Sequence, residues 1–322
     1  MIQSRMRPGD LMVIAVLPND ELAVMLVSKG SYREGQIAAL FGIADGDPQA
    51  VNVRTFSSGS ALGFIASTIL DELGLGPSTP AGGTDAEQVE RIAADLAAEF
   101  PLALPSGARV SALIHERIRD VDPVADPDGA LVRWVEAEAA VFRLWEDARI
   151  RMRIQAGFVD ASGQTSVDAF RDFTMKLRQS RVSRAGGALQ AHVARVLTAH
   201  SIVFEPQATT ENGERPDFLF PGAAAYRNEA FPSESLHMLA VKFTLKDRWR
   251  QVLNEAGRIR PKHLLTMDAS VTGKTLEAIR RAEIALVIAR DVQELYPAQL
   301  RSTLMTFGAL IESALSGHRM NG

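Results

Sequence analysis

Three runs, residues 236–243, 263–267 and 284–289, are apolar along nearly their whole length. Such runs read as strands covered on both faces, because a half-exposed strand alternates apolar and polar residues. Covering both faces of a sheet requires a layer of helices on each side. The neighbouring stretches supply them. Residues 187–200, 247–258, 274–282 and 303–315 read as helices, several with apolar residues at three- and four-residue steps. Two more strands are expected at 202–207 and 217–220, the second entered through Pro216 and ended by Pro221-Gly222. The pattern predicts an α/β fold with a mixed sheet.

Polar groups sit where these elements end. Asp217 opens one expected strand, Lys242 lies near the end of the next, and Glu255 falls on the helix after it. Neighbouring strands are about 4.8 Å apart, so an acid and a lysine that share a face can converge. In 247–258 the buried stripe is Trp249, Val252, Leu253 and Ala256; Glu255 lies on its flank, on the side of Arg248. Two carboxylates and an ammonium suit phosphodiester hydrolysis, which adds negative charge to a group that already repels hydroxide. Mg2+ neutralises that charge and lowers the pKa of a bound water. It takes one or two carboxylates plus waters and phosphate oxygens. Asp217 and Glu255 are therefore the expected metal ligands, and Lys242 the group that hydrogen-bonds the attacking water. In-line attack would leave a 5′-phosphate and a 3′-hydroxyl. The competing reading is chance, since an acid after a proline and a later lysine are common.

Charge distribution favours a local phosphate contact. The chain of 322 residues has a formal net charge of -4, but residues 1–130 hold nine Lys/Arg against eighteen Asp/Glu, while 241–262 hold seven against two. Phosphate contact is decided within a Debye length of about 8–10 Å, so a basic cluster in an acidic chain is a footprint in its own right. A solvated amphipathic helix is the alternative. Cysteine is absent, which excludes disulfides and thiolate metal sites and fits a cytoplasmic location. The apolar N-terminal stretch is broken by Pro18, Asn19, Asp20 and Glu21, so neither a signal peptide nor a membrane span is expected.

Residues 11–17 and 21–28 alternate weakly and read as buried strands of a hairpin turning at 18–20, with a further strand at 51–56 and a helix at 61–73. The stretch GLGPSTPAGGT, 74–84, has linker composition. Helical patterns follow at 85–100, 110–118, 130–153 and 165–179. The expected organisation is a small β-containing N-terminal accessory domain (1–80), a helical connecting or dimerisation region (85–180) and a catalytic domain (181–322).

Longer strings surround the three polar residues: VSRAGGALQAH (182–192), RPDFLFPG (215–222), LAVKFTLKDRWRQVLNEAGRI (239–259), KHLLT (262–266) and YPAQLRSTLMTFGALI (296–311). In these the segment 181–315 resembles the C-terminal catalytic domain of the EcoRII family of Type II restriction endonucleases. The resemblance implies a PD-(D/E)XK restriction-endonuclease-like fold in a variant whose second acid has moved. The usual acid would fall at Ala240, and Glu255 on the following helix takes its place. It implies Asp217 and Glu255 as Mg2+ ligands and Lys242 as the catalytic lysine, with Tyr226 near the active site and included in the catalytic set. A glutamate frequent on the family's first helix is Gln190 here.

The same resemblance assigns Lys246, Asp247 and Arg248 to base reading. The chemistry agrees, since Arg and Lys donate to guanine O6 and N7 and Asp accepts from cytosine N4. Arg250, Arg258, Arg260 and Lys262 would touch phosphates or solvent. The implied substrate is double-stranded DNA with a short near-palindromic site beginning CC and ending GG, cut by a homodimer. A cognate cytosine methyltransferase is expected in the same system without direct binding, and no membrane partner is implied. If central bases are flipped, Trp134 and Trp145 could stack them, although a helical stripe reads first as core. Rival readings are a related nuclease for mismatch- or modification-directed cleavage, a DNA-binding protein that does not cut, and an α/β protein whose basic helix is merely solvated.

Other motifs fail. TGKT at 272–275 lacks the first P-loop glycine, which would fall at Asp268. The acids at 120–128 lack EF-hand spacing. His115, His192, His200, His237, His263 and His318 form no zinc pattern.

Overall fold

The computed structural model describes residues 7–16, 22–41, 43, 86–100, 106–160, 162–245 and 248–319. The expected strand 51–56, the helix 61–73, the linker 74–84, the turn at 18–20 and the pair Lys246–Asp247 lie outside the described residues.

At the front, β1 (Leu11–Val16) pairs antiparallel with β2 (Leu22–Val27), from Leu11↔Val27 to Val16↔Leu22, and α1 (Tyr32–Phe41) follows. The strands are not buried on both faces as the sequence suggested. Met12, Ile14 and Val24 are exposed, and a two-stranded ribbon has one face left open when only the other is packed.

The helical region holds α2 (Ala86–Glu99), α3 (Gly107–Arg117), α4 (Pro127–Ala156) and α5 (Val167–Ala199). Three of them start on side-chain caps: Ser106 accepts from the Arg109 amide, Asp126 from that of Gly129, and Ser166 from that of Ala169. Two helices were expected where α5 runs unbroken, and the boundary placed at 181 falls inside it. Gly186 and Gly187 cost the helix about 1 kcal/mol each relative to alanine. Burial of Leu189, Val193, Val196 and Leu197 beyond them outweighs that cost.

The second layer is a five-stranded sheet in the order β3 (Glu205–Pro206), β4 (Phe218–Phe220), β5 (His237–Lys242), β6 (Lys262–Thr266), β7 (Ile284–Val287). The first two pairings are antiparallel and the last two parallel, so the sheet is mixed. Met238, Leu239, Ala240, Leu264, Leu265 and Val287 are buried, as apolar strands sandwiched by helices must be. Between β4 and β5 lies the short α6 (Ala223–Arg227). The β6–β7 crossover is α7 (Gly273–Arg281), capped by Thr272. After β7 come α8 (Arg290–Gln293), α9 (Ala298–Arg301) and α10 (Phe307–Ser313).

The β5–β6 crossover differs from expectation. Instead of an α-helix over 247–258 it is a 3-10 helix, Arg248–Asn254. Ala256 then turns the chain at φ 45, a left-handed conformation that ends any helix. The buried Asp128 ties the layers together: its carboxylate accepts from the amides of Arg290, Phe307 and Gly308.

Candidate active site

Asp217 sits immediately before β4, opposite the end of β5, and is 6% exposed. Both its oxygens are engaged. Oδ2 accepts from the Val241 amide at 2.6 Å and from Lys242 Nζ at 3.0 Å; Oδ1 accepts from Gln190 Nε2 at 2.7 Å and from Gln207 Nε2 at 2.8 Å. The antiparallel register of Phe218 with Leu239 brings the acid to the β5 end. Lys242 is the last residue of β5, its ammonium partly exposed. Strand pairing thus delivers the acid and the lysine, and α5 delivers Gln190 from the helical layer.

Glu255 follows the 3-10 helix and is 7% exposed. Its Oε2 is buried and has no hydrogen-bond partner. Burial pushes the carboxyl up to about 7; Lys242 opposes this, Asp217 and Glu214 add to it, and Lys262 opposes it. Glu255 therefore lies within electrostatic reach of the Asp217–Lys242 pair. A buried carboxyl oxygen with no donor of its own, beside a second carboxylate, fits a divalent cation. Among the described residues no group of three or more His, Asp or Glu side chains could hold a metal.

Tyr226, on α6, does not bond to Asp217. Its hydroxyl donates to Glu211, 2.6 Å from Oε2 and 2.8 Å from Oε1, and accepts from the Arg258 amide at 3.3 Å. Burial, then the bond to Glu211, raises the phenol to about 12. Tyr226 is therefore neutral and braces the turn that follows Glu255.

The basic segment divides in two. Arg248 opens the 3-10 helix and donates Nη2 to the Thr244 carbonyl at 2.7 Å and to Thr244 Oγ1 at 2.5 Å. The Leu245 amide donates to Asp268 Oδ2 at 2.7 Å, which pins the loop just ahead of Lys246. Arg250 is exposed, its guanidinium 5.1 Å from the Trp249 ring centroid. Arg260 is exposed and lies 3.4 Å from Glu283. Two residues expected at phosphates or solvent are instead structural. Arg258 donates to the carbonyls of Tyr226, Asn228 and Phe231, and Lys262 is buried beneath the 3-10 helix. Arg258 closes the segment expected as a helix, and Lys262 opens the strand after it.

Neither candidate stacking aromatic is free. Trp134 is buried with its ring centroid 4.6 Å from that of His115, and Trp145 packs on Phe142 with Arg184 and Arg149 over its ring. Four of the six histidines form part-buried pairs, His115 with His192 at 2.8 Å and His237 with His318 at 3.0 Å. Gln207 and Glu211 are the residues around the site that sequence reasoning missed, and Lys262 was named there with a different role. Gln207 offered one signal, an amide at the end of an expected strand and ten residues before Asp217.

Residues 142–311 match the family described as EcoRII C terminal. The Type II restriction enzyme EcoRII of Escherichia coli is 37% identical over 214 residues, which are 66% of this chain and 51% of that protein. The chain thus spans about half the length of that curated relative. Metal-depleted Ecl18kI in complex with uncleaved, modified DNA is similar in structure, with TM-score 0.55 and 19% identity over 71% of this chain and 84% of that one. Metal-depleted Ecl18kI in complex with uncleaved DNA gives TM-score 0.55 and 18% identity over the same shares. Likeness at that level identifies the mixed sheet flanked by helices as a restriction-endonuclease-like fold. The family match takes in the whole sheet together with Asp217, Lys242 and Glu255, and the chain belongs to the EcoRII C-terminal family.

Proposed function

We propose that this protein is a Type II restriction endonuclease of the EcoRII kind, a Mg2+-dependent, site-specific deoxyribonuclease acting as a homodimer. Its substrate is duplex DNA bearing a short near-palindromic site that begins CC and ends GG, and its products carry 5′-phosphates. One observation carries the reading: Lys242 Nζ lies 3.0 Å from Asp217 Oδ2, and a buried Glu255 oxygen without a partner is within electrostatic reach of both.

Asp217 and Glu255 would hold the ion. When bound, Mg2+ supplies neutralising charge and a water of lowered pKa. Lys242 has protons beyond the one directed at Asp217; they orient the attacking oxygen and offset charge growing on the phosphate. Gln190 and Gln207 both occupy Asp217 Oδ1, where the family's glutamate would bring a further charge. Neutral amides there favour one ion over two.

Arg248 would read a base from the 3-10 helix, with Lys246 and Asp247 beside it, and Arg250 would contact phosphate. One short helix then carries the reader at its start and the acid just past its end. A second copy of the chain suits the apolar end of the α4–α5 hairpin, where Met152, Ile154, Val167, Phe170 and Met175 are exposed. Among the described residues no helix is long and apolar enough to cross a membrane.

The test is digestion of phage DNA with Mg2+ and sequencing of the ends. The expected result is discrete fragments with 5′-phosphates at one short motif. Specific binding with no cutting in Mg2+ or Mn2+ would identify a DNA-binding protein instead.

A further inference from the structure

Lys262 is the first residue of β6 and is 1% exposed. Its ammonium donates to the Val252 carbonyl at 3.0 Å, to that of Leu253 at 2.7 Å, and to that of Glu255. An ammonium has three protons and no acceptor, and all three here end on the backbone of one turn. The last carbonyls of a helix have no partner within it. Water or a glycine turn usually answers them. Here a cation reaching up from the sheet does so.

The other side of Glu255 is held as well. Glu211 accepts from the Gly257 amide, and Tyr226 accepts from the Arg258 amide at 3.3 Å. The backbone on both sides of Glu255 is thus fixed from two directions. Glu255 itself points its free oxygen inward, within reach of the Asp217 and Lys242 charges. Burying an ammonium is an expensive way to end a helix. Backbone amides answer the last carbonyls of other helices in this chain: Ile118 donates to Ile114, Gly157 to Ile154 and His200 to Val196. The cost is accounted for if the orientation of one acid matters.

We propose that Lys262 is a positioning residue, which aims the Glu255 carboxylate at the Asp217–Lys242 site by clamping the carbonyls of residues 252, 253 and 255. The inference rests on the nuclease reading above. It places Lys262 in neither ion nor substrate contact, so its effect passes through Glu255.

Mn2+ alone is the probe, titrated into the full chain by calorimetry, with cleavage measured in parallel. Lys262→Met keeps the length and removes the charge and donors. Its expected Mn2+ affinity is at least tenfold weaker than wild type, the Mg2+ concentration for half-maximal cleavage rises at least tenfold, and metal-free duplex binding stays within threefold. Lys262→Arg, which retains donors, is expected to recover affinity to within threefold of wild type. If Lys262→Met does not fold, Lys262→Gln takes its place with an expected three- to tenfold loss. Wild-type Mn2+ affinity and metal requirement in a folded Met or Gln variant overturn the inference while leaving the nuclease reading intact. A wild-type chain that neither binds Mn2+ nor cuts overturns the nuclease reading itself.

Discussion

Lys242 and Asp217 are joined at 3.0 Å across the antiparallel junction of β4 and β5, with the acid taking a further amide from Val241 on the same strand. The pairing is set by sheet register, so it survives loss of one side chain. Lys242→Ala should leave the fold intact, because Asp217 keeps the Val241, Gln190 and Gln207 donors. Cleavage is expected to fall by at least about a thousandfold, the scale of losing a central transition-state contact. Duplex affinity should stay within threefold. Measured loss of specific binding along with cutting would refute the assignment.

Tyr226→Phe separates bracing from chemistry. The hydroxyl donates to a carboxylate, and such a bond contributes about 1.5–3 kcal/mol. Denaturant unfolding should show a loss of that order, with cleavage reduced no more than about tenfold once the protein is folded. A drop as deep as that of Lys242→Ala would mean that the phenol touches the reacting atoms.

Arg248→Ala tests base reading. A lost bidentate contact costs about 1–3 kcal/mol of discrimination at one base pair. Cleavage of a randomised library should relax at a single position and its symmetry mate. An unchanged motif would assign Arg248 only to its bonds with Thr244.

Assembly is checked by Phe170→Glu with Met175→Glu. Both side chains are exposed, and Phe170 also meets the Phe158 ring edge-on at 5.2 Å, so folding stability should fall by no more than about 1.5 kcal/mol. Sedimentation is expected to show monomer at concentrations where wild type is dimeric. A dimer that persists in the double variant would move the interface elsewhere.

Stability should decline in acid. Burial lowers His263 to about 4, with His237 adding to the effect; burial likewise lowers His237 to about 4, with His318 adding. Free histidine titrates near 6.5, so below that pH the unfolded chain takes up protons that the folded rings refuse. Stability is therefore full above about 6.5 and falls as pH drops toward about 4, by up to about 1.4 kcal/mol per pH unit for a ring as buried as His263. Thermal unfolding across that window checks this, and His263→Leu should flatten the slope.

Strands were the legible part of the sequence. Residues 236–243, 263–267 and 284–289 are mostly apolar runs without alternation, and that leaves few alternatives to a strand covered on both faces. Asp217, Lys242 and Glu255 were legible as residues because each sits at a strand or helix end. The crossover was not. Trp249, Val252, Leu253 and Ala256 carry helical periodicity, yet the segment forms a tighter turn whose carbonyls meet Lys262 from the next strand. A lysine in a basic stretch looks solvated until the carbonyls it answers are known. The same holds for Arg258. The break expected between 179 and 187 is absent, since packing beyond Gly186-Gly187 keeps one helix whole.

That whole helix has a mechanical meaning. Phe170 and Gln190 lie on one uninterrupted rod, about 30 Å apart at 1.5 Å per residue. The far end presents bare apolar side chains to whatever seats there, and the near end grips Asp217 through an amide. A subunit docking on the tip would push on the acid through a stiff shaft, so mating of two chains and readiness to cut would be transmitted by a single piece of secondary structure.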